Sequence, residues 1–232
     1  MNLIPQVVRQ TVVQVIGPLV QTLIRLHIRP NTITTFGTLI VIASALGFAL
    51  DHAHWAGALL LVSGIFDMLD GRVAREGGVG STFGAFYDST LDRIGESALF
   101  TGIAVAFLRG GLPADRATLG VVVCCVALAS SLLVSYARAR AEGLGLDCNV
   151  GIAQRAERIV YLGVPTLFFG AGRNDMLLFW IVAALALASV ITVIQRVVHV
   201  ARATRSPVPV RAARPRDTLP GRAPALQTRK GR

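Results

Sequence analysis

The sequence predicts an all-α integral membrane protein, with six transmembrane helices preceded by an interfacial amphipathic helix. Three observations carry this reading. The chain of 232 residues is 53% hydrophobic and only 16% charged, with a mean hydropathy of +0.60, too apolar for a soluble domain of this length. Several apolar runs approach the ~20 residues that cross a bilayer as a helix. The sustained polar–apolar alternation of a membrane β-barrel is missing.

Residues 3–28 (LIPQVVRQTVVQVIGPLVQTLIRLHI) mix Val, Leu and Ile with Gln, Thr and Arg. They are too polar to span, yet their apolar residues recur at helical intervals. This predicts a helix lying in the membrane interface, broken near Gly17 and Pro18. In RPNTIT, Pro30 and Asn31 end that element, and Asn31 or Thr32 caps the next helix. Six spans follow, at 31–50, 54–71, 82–108, 117–141, 156–171 and 175–203. The second turns acidic at its end, the third begins on a stripe of Gly84, Asp88 and Asp92, and the fifth is short and contains Pro165.

The net charge of +10 is concentrated at one end: from Arg205 onward there are eight Lys/Arg, one acid (Asp217) and five prolines. Such a stretch cannot bury apolar surface and is expected to be disordered, leaning on anionic lipid headgroups. No aromatic residue interleaves its arginines, so nucleic acid is not an expected partner. The chain therefore divides into an interfacial segment (1–30), a six-helix transmembrane domain that carries the chemistry (31–204) and a basic tail (205–232).

Basic residues set the orientation. Arg9, Arg25, Arg29, Arg72, Arg75, Arg138, Arg140, Arg155, Arg158, Arg202 and the tail fall on one side, and only Arg109, Arg116 and Arg173 on the other. The first side is expected to be the cytoplasm, with both termini there and the protein in the cytoplasmic membrane. No secretory signal is evident at the start. Cys124, Cys125 and Cys148 have no metal-binding spacing. The run GGVG at 77–80 follows no strand, so it reads as a flexible turn rather than a dinucleotide loop. His27, His52, His54 and His199 are scattered and receive no role.

The acidic residues at the ends of spans two and three carry the functional signal. Asp67 and Asp70 are three apart and share one helix face; Asp88 and Asp92 are four apart and share another. Consecutive antiparallel helices can bring the two faces together. Gly84, four before Asp88, allows a close approach. One alternative pairs these aspartates with Arg72, Arg75 and Arg93, or leaves them in water. Four converging carboxylates near a bilayer would otherwise repel one another and suffer desolvation. A divalent cation relieves both, and hard oxygen ligands suit Mg²⁺ or Mn²⁺. A diphosphate is the usual partner of such an ion, with Arg75 near the phosphate or a ligating carboxylate. One aspartate would stay free enough to take a proton from an attacking hydroxyl.

The pattern Asp67-x2-Asp70-Gly71-x2-Ala74-Arg75-x8-Gly84-x3-Asp88-x3-Asp92 resembles the full signature of the CDP-alcohol phosphotransferases, with all eight fixed positions present. The wider resemblance covers about residues 28–203, including the six-span plan. It implies that Asp67, Asp70 and Asp88 ligate the metal and that Asp92 is the general base, also touching a metal. It implies a CDP pocket lined by Asp70, Gly71, Ala74, Arg75 and Gly84, with Asn31 and Thr34 closing over the nucleotide. The implied donor is a CDP-linked lipid, most often CDP-diacylglycerol, and the implied assembly is a homodimer.

The second half suggests the acceptor. Ser135, Arg138 and Glu142 lie on adjoining faces of one helix end, followed by Arg155 and Arg158 and, at the end of the last span, Arg196. Arginines from three elements suit a phosphorylated acceptor, because guanidinium binds phosphate bidentately; the alternative is that they are positive-inside or snorkelling residues. The arrangement resembles the bacterial phosphatidylinositol-phosphate synthases, which implies that Ser135, Arg138, Arg158 and Arg196 hold the phosphate of inositol 1-phosphate. A lysine is usual where Arg138 stands and a proline where Ala156 stands, so glycerol 3-phosphate, giving phosphatidylglycerol phosphate, is the competing acceptor. Remoter readings are a membrane prenyltransferase and a cation transporter. Glu96, four after Asp92 on the same face, either supports the site or packs between helices.

Overall fold

The computed structural model describes residues 6–152 and 155–204, with side chains from residue 16 onward. The predicted tail from Arg205 therefore lies outside the described residues, as does the start of the interfacial segment. Seven α-helices make up the described chain: α1 (Gln6–Arg25), α2 (Pro30–Ala49), α3 (Ala53–Glu76), α4 (Thr82–Ala106), α5 (Ala114–Gly143), α6 (Arg155–Phe169) and α7 (Met176–Ala203). No strand occurs among the described residues. Three helices, Pro30–Ala49, Ala114–Gly143 and the stretch Arg173–Ala203 containing α7, are long and apolar enough to cross a membrane.

Three local expectations are corrected. First, α1 is not broken at Gly17 and Pro18 but runs continuously from Gln6 to Arg25 with Pro18 inside. Proline removes only one helical hydrogen bond. Here Ile16 and Val20, on either side of it, are buried in a cluster with Ile33, Leu69 and Val73 that holds the helix together. Second, α2 starts at Pro30, with Arg29 as its N-cap and no capping side chain. The fixed φ of proline is suited to the first helical position, so Pro30 opens the helix instead of ending its predecessor. Third, α3 continues through Gly71 to Glu76. The cost of about 1 kcal/mol for a mid-helix glycine is offset by burial of Leu69 and Val73 against α1 and by the Arg72–Glu76 pair at 2.8 Å.

Helix α2 packs against α3 and α4, α3 against α6, and α5 against α7. Small residues set the close contacts, as in helix pairs within lipid. A methyl group added at Gly57 on α3 would lie 2.9 Å from the Gly163 carbonyl oxygen on α6, and one at Gly102 on α4 would collide with the Ala45 carbonyl on α2. The core between them holds Phe48, Leu60, Ile103, Phe107, Leu162 and Val182. Outward, large apolar side chains such as Phe36, Leu46, Leu187 and Ile194 are exposed, which is the surface a helical bundle presents to hydrocarbon. Trp55 near the start of α3, Phe168 and Phe169 at the end of α6, and Trp180 near the start of α7 are exposed at the ends of the helices away from the aspartates, the position of an interfacial aromatic belt.

Candidate active site

Helices α3 and α4 both pack on α2 and are joined by the turn at residues 77–81, where Gly78 takes a positive φ of 64°. Ser81 caps α4 by accepting the Gly84 N–H at 2.9 Å, which fixes the start of the helix and the stripe that follows. Asp67 from α3 and Asp88 and Asp92 from α4 each bring a carboxylate oxygen within 4.8 Å of the others. Asp88 Oδ1 is buried and has no hydrogen-bond partner among the described residues. A buried, unpartnered carboxylate oxygen beside two others is a donor set for a hard divalent cation, so the residues present fit Mg²⁺ or Mn²⁺.

Asp70 is placed differently. It is buried and its Oδ2 accepts a 2.7 Å hydrogen bond from Thr34 Oγ1 on α2. It stands outside the three-carboxylate cluster while sharing the α3 face with Asp67. Among the other expected nucleotide-binding residues, two close approaches are seen. A methyl at Gly84 would lie 3.2 Å from Asn31 Oδ1, and one at Gly71 would lie 3.3 Å from Arg75 Nη1. Both glycines thus admit a polar side chain against the backbone. Ala74 is half-buried, and its carbonyl accepts the Val79 N–H at 3.2 Å, closing the turn. Nearby, a cavity of about 360 Å³ opens between Asn31, Gly77 and Ser81, Ile24 at the end of α1 and His27 just after it.

Of the suggested pairings of the aspartates with Arg72, Arg75 and Arg93, the structure shows the one between Arg93 and Asp92. Arg93 pairs with Asp92 at 3.8 Å and donates to the Ser89 carbonyl, while Arg72 pairs with Glu76. A second guanidinium enters the cluster more deeply, that of Arg155 at the start of α6. Its Nη1 contacts Oδ1 of Asp67 and Oδ1 of Asp92 together. From sequence Arg155 stands with Arg158 among the arginines that suit a phosphorylated acceptor, without a role of its own, and Asp67 lies 88 residues away along the chain.

Beside this cluster, Arg158 on α6 is buried and pairs with Glu96 on α4 at 2.7 Å, which assigns Glu96 to a specific partner. The two line a cavity of about 30 Å³ together with Arg155, room for a water. Arg196 on α7 is buried and donates to the Val150 carbonyl at 3.0 Å and to the Val134 carbonyl on α5, next to half-buried Ser135. Arg138 is exposed and pairs with Glu142 at 2.8 Å. Arg138 and Arg158 are both near enough to act electrostatically on Arg196. The three helix ends thus gather the basic residues named from sequence, though each holds a protein acceptor.

The chain matches the family model for CDP-alcohol phosphatidyltransferase over residues 27–192. It is 39% identical over 201 residues to the phosphatidylinositol phosphate synthase of Cutibacterium acnes, covering 83% of this chain and 95% of that protein. A crystal structure of Mycobacterium tuberculosis phosphatidylinositol phosphate synthase with CDP-DAG bound superposes with a TM-score of 0.68 at 33% identity, covering 79% of this chain and 92% of that one. A second structure of the same enzyme, in complex with manganese and citrate, gives 0.68 at 34% identity over 79% of this chain and 87% of that one. On the eight-position aspartate signature, the three-carboxylate cluster and these matches, the chain belongs to the CDP-alcohol phosphatidyltransferase family.

Proposed function

We propose that this protein transfers the phosphatidyl group of CDP-diacylglycerol to the hydroxyl of inositol 1-phosphate, releasing CMP and forming phosphatidylinositol phosphate. The observation that carries the reading is the convergence of Asp67, Asp88 and Asp92, with a buried unpartnered oxygen on Asp88, beside a set of arginines on α5, α6 and α7. The names of the relatives support the donor and the acceptor.

Asp67, Asp88 and Asp92 would hold the divalent cation, with Asp70 completing the set once its bond from Thr34 is shared. When bound, the ion neutralises the diphosphate and the departing CMP. Asn31, Thr34, Gly71, Ala74, Arg75 and Gly84 line the nucleotide pocket, where the two glycines let the diphosphate approach the backbone. Asp92 takes the proton from the acceptor hydroxyl. The oxygen then attacks the phosphorus that bears diacylglycerol, and the bond to the CMP oxygen breaks. Ser135, Arg138, Arg158 and Arg196 hold the acceptor phosphate and align the hydroxyl for in-line attack.

Helices α2 to α7 each span the cytoplasmic membrane in this reading, with both termini and the active site on the cytoplasmic side, where the basic connections lie. Helix α1 lies in the interface, residues 31–204 form the catalytic domain, and the tail from 205 rests on anionic headgroups. The working assembly is a homodimer.

The test is a product assay with radiolabelled CDP-diacylglycerol, Mn²⁺ or Mg²⁺ and, separately, inositol 1-phosphate, glycerol 3-phosphate, serine and free inositol. A labelled lipid formed only with inositol 1-phosphate supports the proposal. Product formed preferentially with glycerol 3-phosphate replaces the acceptor with the competing one.

A further inference from the structure

The Nη1 atom of Arg155 straddles Asp67 and Asp92, two of the three residues whose oxygens converge. We infer that Arg155 is a tethered substitute cation: it neutralises the carboxylate cluster when no metal is bound and must withdraw for a divalent ion to enter, so that it sets the protein's metal affinity. This rests on the reading of Asp67, Asp88 and Asp92 as the metal site.

The geometry argues for competition rather than coexistence. A cation held by the Oδ1 atoms of Asp67 and Asp92 would need the space next to both oxygens, because a hard ion binds carboxylate oxygens at about 2 Å. One guanidinium nitrogen already lies between those oxygens. The two positive groups cannot share the position. The third carboxylate, Asp88, keeps its unpartnered Oδ1, so the guanidinium satisfies only part of the cluster, whereas a divalent ion can be reached by all three. A single positive charge against three carboxylates is thus a partial stand-in that a doubly charged ion displaces.

Position in the fold allows the withdrawal. Arg155 lies in the first turn of α6, where the backbone N–H groups have no intrahelical partner. About a quarter of its side chain, 27%, reaches solvent. Once displaced, the guanidinium can turn to water without being buried unpaired. By contrast Arg158, one turn further into α6, is buried and pairs with Glu96, and it is not the residue that moves.

The test titrates MnCl₂ into purified full-length protein and reads bound ion from the loss of the free Mn²⁺ paramagnetic resonance signal, with no substrate present. Arg155→Gln removes the competing charge and is expected to bind Mn²⁺ about tenfold more tightly than the wild type, or better, as expected for a unit charge at contact distance. Arg155→Lys keeps a charge but not the planar guanidinium whose Nη1 reaches both carboxylates, and is expected to fall between the two. If Arg155→Gln binds Mn²⁺ no more tightly than the wild type, Arg155 supports the ion instead of competing with it and the inference is overturned; Arg155→Lys decides in the same sense should the glutamine variant fail to fold. Asp88→Asn separates this from failure of the metal site itself: if the wild type shows no saturable binding that Asp88→Asn weakens, the metal reading falls and takes the inference with it.

Discussion

Thr34 on α2 donates a 2.7 Å hydrogen bond to the buried carboxylate of Asp70 on α3. The same hydroxyl lies 3.1 Å from the Pro30 carbonyl at the start of α2. One side chain therefore ties the entry of α2 to the acidic face of α3. Thr34→Val keeps the shape and removes the donor, leaving a buried carboxylate less satisfied at a cost of about 1–3 kcal/mol. The expected outcome is a lower thermal midpoint in detergent with a raised KM for CDP-diacylglycerol, and recovery of both in Thr34→Ser.

Asp92 occupies the cluster and is the proposed proton acceptor. Asp92→Asn is expected to lower CMP release by at least the ~10²–10⁴-fold that general-base catalysis contributes. Measured at saturating Mn²⁺, turnover within a few-fold of the wild type would remove Asp92 from the base role.

Glu96 and Arg158 form a buried pair at 2.7 Å. Removing one charge of such a pair costs about 3 kcal/mol, because the other stays in a low-dielectric setting. Glu96→Gln is accordingly expected to destabilise the protein and to misplace Arg158, raising the KM for the phosphorylated acceptor more than that for the lipid donor. Steady-state kinetics with each substrate varied in turn would show this split.

Two glycines give opposite expectations from the same substitution. A methyl at Gly57 would lie 2.6 Å from the Leu167 backbone nitrogen and 2.9 Å from the Gly163 carbonyl, whereas at Gly17 it would meet nothing within 4 Å. Gly57→Ala forces α3 and α6 apart and is expected to cost about 1–3 kcal/mol. Gly17→Ala is expected to be neutral or to stabilise α1 by up to about 1 kcal/mol. Thermal melts of the two variants in one detergent compare them directly.

The periodic apolar runs placed the helices α2 to α7 to within about five residues, and three of them are long and apolar enough to cross a membrane, where a helix satisfies its own backbone. The aspartate spacings likewise announced a shared face on each helix, and the fold brings Asp67, Asp88 and Asp92 together. What stayed hidden depends on side chains meeting across distant segments. Pro18 reads as a break until Ile16 and Val20 are seen packed against α3. Asp70 looks equivalent to Asp67 until Thr34 is found on it. Arg155 looks like one more positive-inside residue, and only the packing of α6 on α3 puts it among the aspartates. A basic residue at the first position of a helix, where the macrodipole disfavours it, is the one local signal that could have singled it out.

Whether these carboxylates clasp a divalent ion is tested most directly by an anomalous difference map from crystals of the protein grown with MnCl₂. A manganese peak is expected within bonding distance of oxygens from Asp67, Asp88 and Asp92. A map with full manganese in the solution, well-ordered aspartates and no peak among them would contradict it.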